Sequence, residues 1–270
     1  MSEAKLVPLV LTIFLWLLAI VTALIFVARV WWTPELASVH GQAIDDQLIL
    51  SLIISGAIFV AAHLVLGYVI WRYRDRGTGR ARHSHDRPKL EASWTIATAV
   101  LFVGLGIQGN GVWANYLNEK MPPDTITIEV TAQQFAWNIR YPGTDGRFGR
   151  TDPKRIDDSL GNYIGIDPTD SAGNDDIVTQ NIATVPVNRA VQVILRSKDV
   201  THSFFVPQFR LKQDAVPGLA IPIHFTATRT GEYEIACAEL CGMQHYKMRG
   251  RLQVMSESDF QIWLKSRAAL

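Results

Sequence analysis

Three apolar stretches lie within the first 116 residues of this 270-residue chain, and they commit that part to folding in lipid. Leu6 to Trp32 carries no charge before Arg29. Leu48 to Trp71 has no charged side chain and a single histidine, His63. Trp94 to Trp113 is weaker, thinned by Gly104, Gly106, Gln108 and Asn110. A helix needs about 20 apolar residues to cross the hydrocarbon core, so all three are long enough to span it. Trp31, Trp32, Trp71, Trp94 and Trp113 stand near their ends, where indole rings settle at a membrane interface.

The loops give the orientation. Between the second and third spans come Arg72, Arg74, Arg76, Arg80, Arg82, Arg87 and Lys89, while the loop after the first span has Glu35, Asp45 and Asp46 and no Lys or Arg. Basic short loops stay on the cytoplasmic side. The N-terminus is therefore expected inside and everything after residue 116 outside. The first apolar run exceeds the roughly 7–15 residues of a signal-peptide core, and no clean small-x-small site follows it. It is expected to be retained as a helix.

A net charge of +1 hides this asymmetry. Residues 1–116 form a membrane domain with spans at about 6–32, 48–71 and 94–113, and residues 117–255 read as a water-soluble domain large enough for one core. The basic residues flank apolar spans without a recognition motif, so nucleic acid is excluded as a partner and membrane lipid is implied. From Thr125 the pattern changes to β-branched alternation in 125–131, 190–196 and 231–236, as in an antiparallel sandwich or barrel. Residues 143–181, rich in Gly, Pro, Asp and Asn, read as a long surface excursion. Phe260, Trp263 and Leu264 at helical spacing predict a short helix over 256–270.

The chemistry concentrates in Cys237-Ala-Glu239-Leu-Cys241-Gly-Met-Gln-His245-Tyr-Lys-Met248, with His202 upstream. Thiolates, imidazoles and a thioether are soft or borderline ligands that favour copper. A mononuclear blue-copper site needs one Cys; a second, four residues away, allows two thiolates to bridge two ions. A Cys237–Cys241 disulfide, natural in an oxidising compartment, and a Cys2His2 zinc site compete with this reading. Neither uses Glu239 or Met248.

The run resembles the CuA motif of subunit II of haem-copper respiratory oxidases, Cys-x-Glu-x-Cys-x-x-x-His-x-x-Met, at every spacing. The resemblance covers roughly residues 46–255 and includes Lys89-Leu-Glu91-Ala-Ser-Trp94-Thr95, Gln133-Gln-Phe135-Ala-Trp137, Asp199-Val-Thr-His202-Ser-Phe and Lys212-Gln-Asp214-Ala-Val-Pro217-Gly218. It implies a membrane-anchored all-β protein: spanning helices followed by a cupredoxin-like Greek-key barrel. Family members usually have two spans, matched by the second and third here, so the first is an addition. The implied location is the bacterial plasma membrane, multi-pass, with the C-terminal domain periplasmic.

By resemblance, Cys237 and Cys241 bridge the coppers, His202 and His245 each bind one, and Met248 and the Glu239 carbonyl are weak axial ligands. The Glu239 carboxylate would reach a magnesium or manganese ion at the catalytic subunit. Glu91 would stand at a proton-channel mouth, although a carboxylate also simply suits a helix N-terminus. The implied partners are the haem-copper catalytic subunit I, other oxidase subunits and a cytochrome c-type donor. Two departures bear on that donor. Phe135 replaces the Trp at which electrons enter, leaving Trp137, and Arg140 stands where an acid often attracts cytochrome c. Asp199 and Asp214 keep their charge. These changes predict weaker ionic steering, a donor anchored in the membrane or bound to the complex, or compensation by the excursion acids from Asp157 to Asp176. The implied function is electron transfer from such a donor to haem in a proton-pumping oxidase, with a CuA-bearing nitric oxide reductase as the alternative. A copper-delivery protein is disfavoured by the closed ligand set, and a quinol oxidase by the presence of every copper ligand. His63, His83, His85 and His224 draw no role.

Overall fold

The computed structural model describes residues 3–76 and 87–268. Arg80, Arg82, His83 and His85 lie outside the described residues. The chain divides into two units, one of residues 1–33 with 43–118, the other of residues 34–42 with 119–270.

The first unit holds three helices long and apolar enough to cross a membrane: α1 (Glu3–Val27), α2 (Gly41–Arg72) and α3 (Pro88–Leu117). Helices α1 and α2 pack through polar and small residues. The Thr12 hydroxyl donates to the Gly67 carbonyl (3.1 Å) and the Trp16 indole N–H to the Leu64 carbonyl (3.2 Å). Gly67 is required there, since a Cβ would stand 2.5 Å from the Trp16 nitrogen. Without a hydrophobic driving force between helices in lipid, small residues and interhelical hydrogen bonds hold such contacts. Helix α3 has no buried side chain. Pro88 opens it, and the Glu91 carboxylate accepts from the Arg87 N–H (3.4 Å), a favourable charge at the N-terminal end.

The second unit is a sandwich of two five-stranded sheets. One orders its strands β3-β2-β1-β5-β8 and the other β4-β10-β9-β6-β7. The strands are β1 (Ile126–Gln133), β2 (Ala136–Tyr141), β3 (Ile177–Gln180), β4 (Ile182–Pro186), β5 (Ala190–Ser197), β6 (His202–Val206), β7 (Leu211–Ala215), β8 (Ile221–Thr226), β9 (Gly231–Cys237) and β10 (Arg249–Met255). The expected antiparallel pattern holds for most pairs, but β1 with β5 and β10 with β4 run parallel, so both sheets are mixed. In β1 and β5 alternate residues are buried, and Val130, Ala132, Val191, Val193 and Leu195 join Phe204, Val206, Ile235 and Leu252 among the buried core residues. The C-terminal helix α4 (Glu257–Ala268) is capped by the Ser256 hydroxyl, which accepts from the Asp259 N–H (3.1 Å). It buries Phe260 and sets Trp263 edge-on to Tyr141 at 5.0 Å.

Strand β2 breaks the alternation: all six residues are buried. One face, with Trp137 and Ile139, fills the core. The other is covered by the excursion, and Arg140 is why. Its guanidinium is 2% exposed and bonds Glu129 (3.0 Å), the Asp176 carboxylate and the Gly149 carbonyl (2.5 Å), with the Phe148 ring 5.1 Å away. Arg140 is therefore no surface residue that repels a cationic partner. It is the internal anchor of the excursion, and a buried charge with several partners is satisfied where it stands.

The acids of the excursion are equally committed. Asp157, Asp167 and Asp170 accept N–H bonds from their own turns, Asp175 accepts from Thr144 and Asp145, and Asp158 pairs with Lys198 (2.8 Å). Asp167 and Asp170 also meet Arg150. These bonds hold the Asp157, Asp167, Asp170 and Asp175 carboxyls below their ordinary range. The acids are thus bonded within the chain, with Asp157 and Asp158 exposed at the surface of the excursion.

Residues 34–42, placed with the membrane spans by composition, belong to the β unit. Val39 N–H donates to the Thr226 carbonyl (3.0 Å), Thr228 N–H to Ala37 (3.0 Å), Ala37 N–H to Gln208 (2.8 Å) and the Ser38 hydroxyl to Phe209 (2.8 Å). The segment continues the exposed edge beyond β8, satisfying groups that would otherwise offer a template for pairing. Burial, then the neighbouring His224, draw the His40 imidazole down to about 4.

Candidate metal centre

The site sits where sheet pairing brings two segments together. Strand β6 pairs with β9 so that Phe204 faces Cys237, and this carries His202, two residues before Phe204, to the end of β9. Strands β9 and β10 pair antiparallel, and the loop between them carries the remaining candidates. The Cys237 N–H donates to the Met248 carbonyl (3.2 Å), closing the loop, and the Ala238 N–H to Ser203 (3.0 Å) ties it to β6. A short 3-10 turn, His245–Lys247, points His245 back inward.

The donor atoms converge. Cys237 Sγ lies 3.8 Å from Cys241 Sγ, 3.8 Å from His202 Nδ1 and 3.2 Å from the Glu239 carbonyl oxygen. Cys241 Sγ lies 3.5 Å from His245 Nδ1 and 3.8 Å from Met248 Sδ. His202, Cys241 and Met248 are buried, Cys237 and His245 half-buried. The thiols are separate. The ligand atoms of His202, Cys237 and Cys241 lie within 4.8 Å of one another, close enough to share a metal ion. Soft sulfur beside imidazole nitrogen is the donor set that copper takes, so the residues fit that metal.

The thiols differ. Burial opposes ionisation of Cys237, but the bonds from His202 and the Ser203 and Glu239 backbone outweigh it and bring the thiol down to about 6. Burial, then the charge of Cys237, push Cys241 up to about 12. Cys237 thus ionises the more readily of the two, and a cation bound by both sulfurs competes with the proton on Cys241. His202 is held above its usual value: burial lowers it, but Cys237 and Asp199 more than compensate. Its Nε2 faces Asp199 Oδ1 at 2.8 Å, leaving Nδ1 toward the sulfurs. Such a carboxylate partner fixes ring orientation and tautomer in metal-binding histidines. The i,i+3 spacing of Asp199 and His202 was the sequence signal for this role, which reading the aspartate only as a docking charge missed.

The other candidates lie around this cluster. Glu239 is exposed beside Leu240, Met243 and Tyr246, which are also exposed. Phe135 is half-buried over Gly242, and Trp137 is fully buried, its ring centroid 6.3 Å from that of His202. Glu91 belongs to the helical unit, and this set belongs to the other. His224, without a role by sequence, meets Glu119 at 3.2 Å.

Residues 126–254 match the family described as "Cytochrome C oxidase subunit II, periplasmic domain". The "Alternative cytochrome c oxidase subunit 2" of Bradyrhizobium diazoefficiens is 36% identical over 250 residues, covering 92% of this chain and 88% of that protein. This chain belongs to the cytochrome c oxidase subunit II family. The "Cytochrome c oxidase subunit 2" of Cereibacter sphaeroides is 32% identical over 223 residues, 79% of this chain and 72% of that one. The solved periplasmic domain of subunit II from Bradyrhizobium japonicum is 29% identical and superposes on 55% of this chain and 96% of its own, with a TM-score of 0.40. As a member of this family the chain is part of an oxidoreductase complex, membrane-anchored, with a periplasmic C-terminal domain and a site suited to copper.

Proposed function

We propose that this chain is the subunit through which electrons enter a terminal cytochrome c oxidase. It receives them from a cytochrome c-type donor at the periplasmic face and delivers them to haem in the catalytic subunit, where oxygen reduction is coupled to proton pumping. The observation that carries this reading is the convergence of two thiols, two imidazoles, a thioether and a carbonyl in a partly buried pocket of a rigid sandwich. A binuclear copper centre of the CuA kind, when bound, supplies one-electron redox chemistry with its charge shared between two ions.

The chain's own residues do the rest. Cys237 and Cys241 would hold the metal through their sulfurs, and His202 and His245 would hold it through Nδ1, which lies 3.8 Å from Cys237 Sγ in His202 and 3.5 Å from Cys241 Sγ in His245. The Met248 thioether and the Glu239 carbonyl would add weaker ligands. Burial of His202, Cys241 and Met248 keeps water away, and strand pairing on both sides of the loop resists rearrangement between charge states. The exposed Glu239 carboxylate is free to reach a magnesium or manganese ion at the catalytic subunit; a hard dication accepts such an oxygen ligand. Phe135, half-buried against Gly242, and Trp137, 6.3 Å from the His202 ring, are the residues through which the donor couples. Glu91 opens α3 as a carboxylate for proton entry. Helix α1 is retained, with the N-terminus and the α2–α3 loop cytoplasmic. The relatives are named as oxidase subunits, and no observation favours a nitric oxide reductase.

Copper-loaded full-length chain in detergent tests the reading by EPR. An unpaired electron shared over two equivalent copper nuclei is expected; a single-copper spectrum, or retention of zinc, overturns it. In the assembled complex grown with manganese, Glu239→Gln is expected to lose the manganese signal and keep the copper one. Mass spectrometry of the mature subunit is expected to recover α1.

A further inference from the structure

The tip of the β1–β2 hairpin reaches over the metal loop. The Gln134 backbone N–H donates to Asp199 Oδ2 at 2.7 Å, and its side-chain amide donates to the Cys241 carbonyl at 2.5 Å. The next residue, Phe135, lays its ring against Gly242. A Cβ on Gly242 would come within 2.8 Å of the Gln134 amide nitrogen and 3.1 Å of the Phe135 ring, and the glycine's φ of +137° is one that side chains rarely adopt. Asp199, in turn, holds His202 Nε2 at 2.8 Å and accepts the Val200 N–H at 2.7 Å.

These bonds form a continuous strap from the His202 ring through the Asp199 carboxylate and Gln134 to the Cys241 carbonyl. His202 is fixed by strand β6, whereas Cys241 and Gly242 lie in a part of the loop outside the strands. Strand pairing therefore places His202 and Cys237 but leaves the backbone at Cys241 to be held by something else. Gln134 is exposed, so its amide bond is not a by-product of core packing.

Resting on the copper reading above, we infer that Gln134 is a positioning residue of the metal centre. Its amide sets where the Cys241 thiol stands relative to His202. Hydrogen-bond partners one shell beyond metal ligands typically change affinity by about 10-fold to 100-fold when removed. An exposed residue falls at the low end, and about 10-fold faster copper release is expected.

The test uses the full-length chain in detergent, loaded with copper, and two variants, Gln134→Leu and Gln134→Glu. Copper release to a chelator, the EPR hyperfine pattern and melting of the metal-free chain are measured. Gln134→Leu is expected to release copper about 10-fold faster with an altered hyperfine pattern and unchanged metal-free melting. Gln134→Glu, which sets a carboxylate against the Cys241 carbonyl, is expected to release it faster still, an order that a packing role does not produce. A parent with a binuclear signal and variants indistinguishable from it overturns the inference alone. So do variants whose metal-free melting falls in step with copper retention. A parent without a binuclear signal overturns the copper reading, and the inference with it.

Discussion

The excursion from residue 142 to 176 and the loop from Cys237 to Met248 are both dense in groups that bind ions, yet they have opposite fates. In the excursion, acids are consumed by the chain itself: Asp157, Asp167 and Asp170 cap their own turns, Asp176 grips buried Arg140, and Asp158 meets Lys198. In the metal loop the sulfurs and imidazole nitrogens face one another across 3.5–3.8 Å, a spacing at which an intervening cation would gain from all of them. A high local charge is thus no sign of a binding site. What marks one is convergence of several soft ligand atoms on one point.

The sharpest break of this contrast is at Cys241. Cys241→Ser is expected to abolish the binuclear spectrum altogether, leaving at most a single-copper signal, because no other thiolate stands within reach to bridge. In the excursion the large effect is on stability instead. Asp176→Ala leaves buried Arg140 with Glu129 as its remaining carboxylate, and breaking a buried pair costs about 3 kcal/mol or more. Chemical denaturation of the full chain should show that loss while the copper spectrum keeps its binuclear form. A lost spectrum in Asp176→Ala would mean that the two regions are coupled.

Met248→Leu is expected to act more gently. The sulfur 3.8 Å from Cys241 is the weak ligand of the set, so the centre should assemble with a shifted reduction potential, read by redox titration.

The docked segment 34–42 supplies a pH test. His40 is drawn from 6.5 to about 4 by burial and by His224, so the unfolded state takes up a proton at higher pH than the folded state does. Its neutral form stabilises the fold fully above about 6.5, and that contribution is lost as pH falls toward 4. Melting of the full chain should fall across this window, and His40→Gln should flatten the fall. The smallest effect is expected at the excursion surface. Asp158→Asn removes an exposed, lysine-paired charge, and reduction of the complex by a c-type cytochrome should change by less than about twofold. A steep loss of rate would mark the excursion as a docking surface.

Much of this was legible along the chain because it is local. Apolar run length decides whether a helix can span lipid, alternation decides which strand residues face a core, and the spacing of Cys237, Cys241, His245 and Met248 is that of one loop. Those properties depend on neighbours in sequence, and the family resemblance rests on the same short runs. What stayed hidden depends on residues far apart. Arg140 reads along the chain as a changed surface charge, but Glu129 and Asp176 surround it, and residues 34–42 read as a membrane loop, but they bond to residues 208–228. Asp199 and Gln134 gained their places only because β6 and the β1–β2 hairpin meet at the metal loop. Sequence determined which groups this protein has and the secondary structure that carries them. Which of those groups are spent on one another was decided only by tertiary packing, because hydrogen bonds and ion pairs act over a few ångströms between segments the chain order keeps far apart.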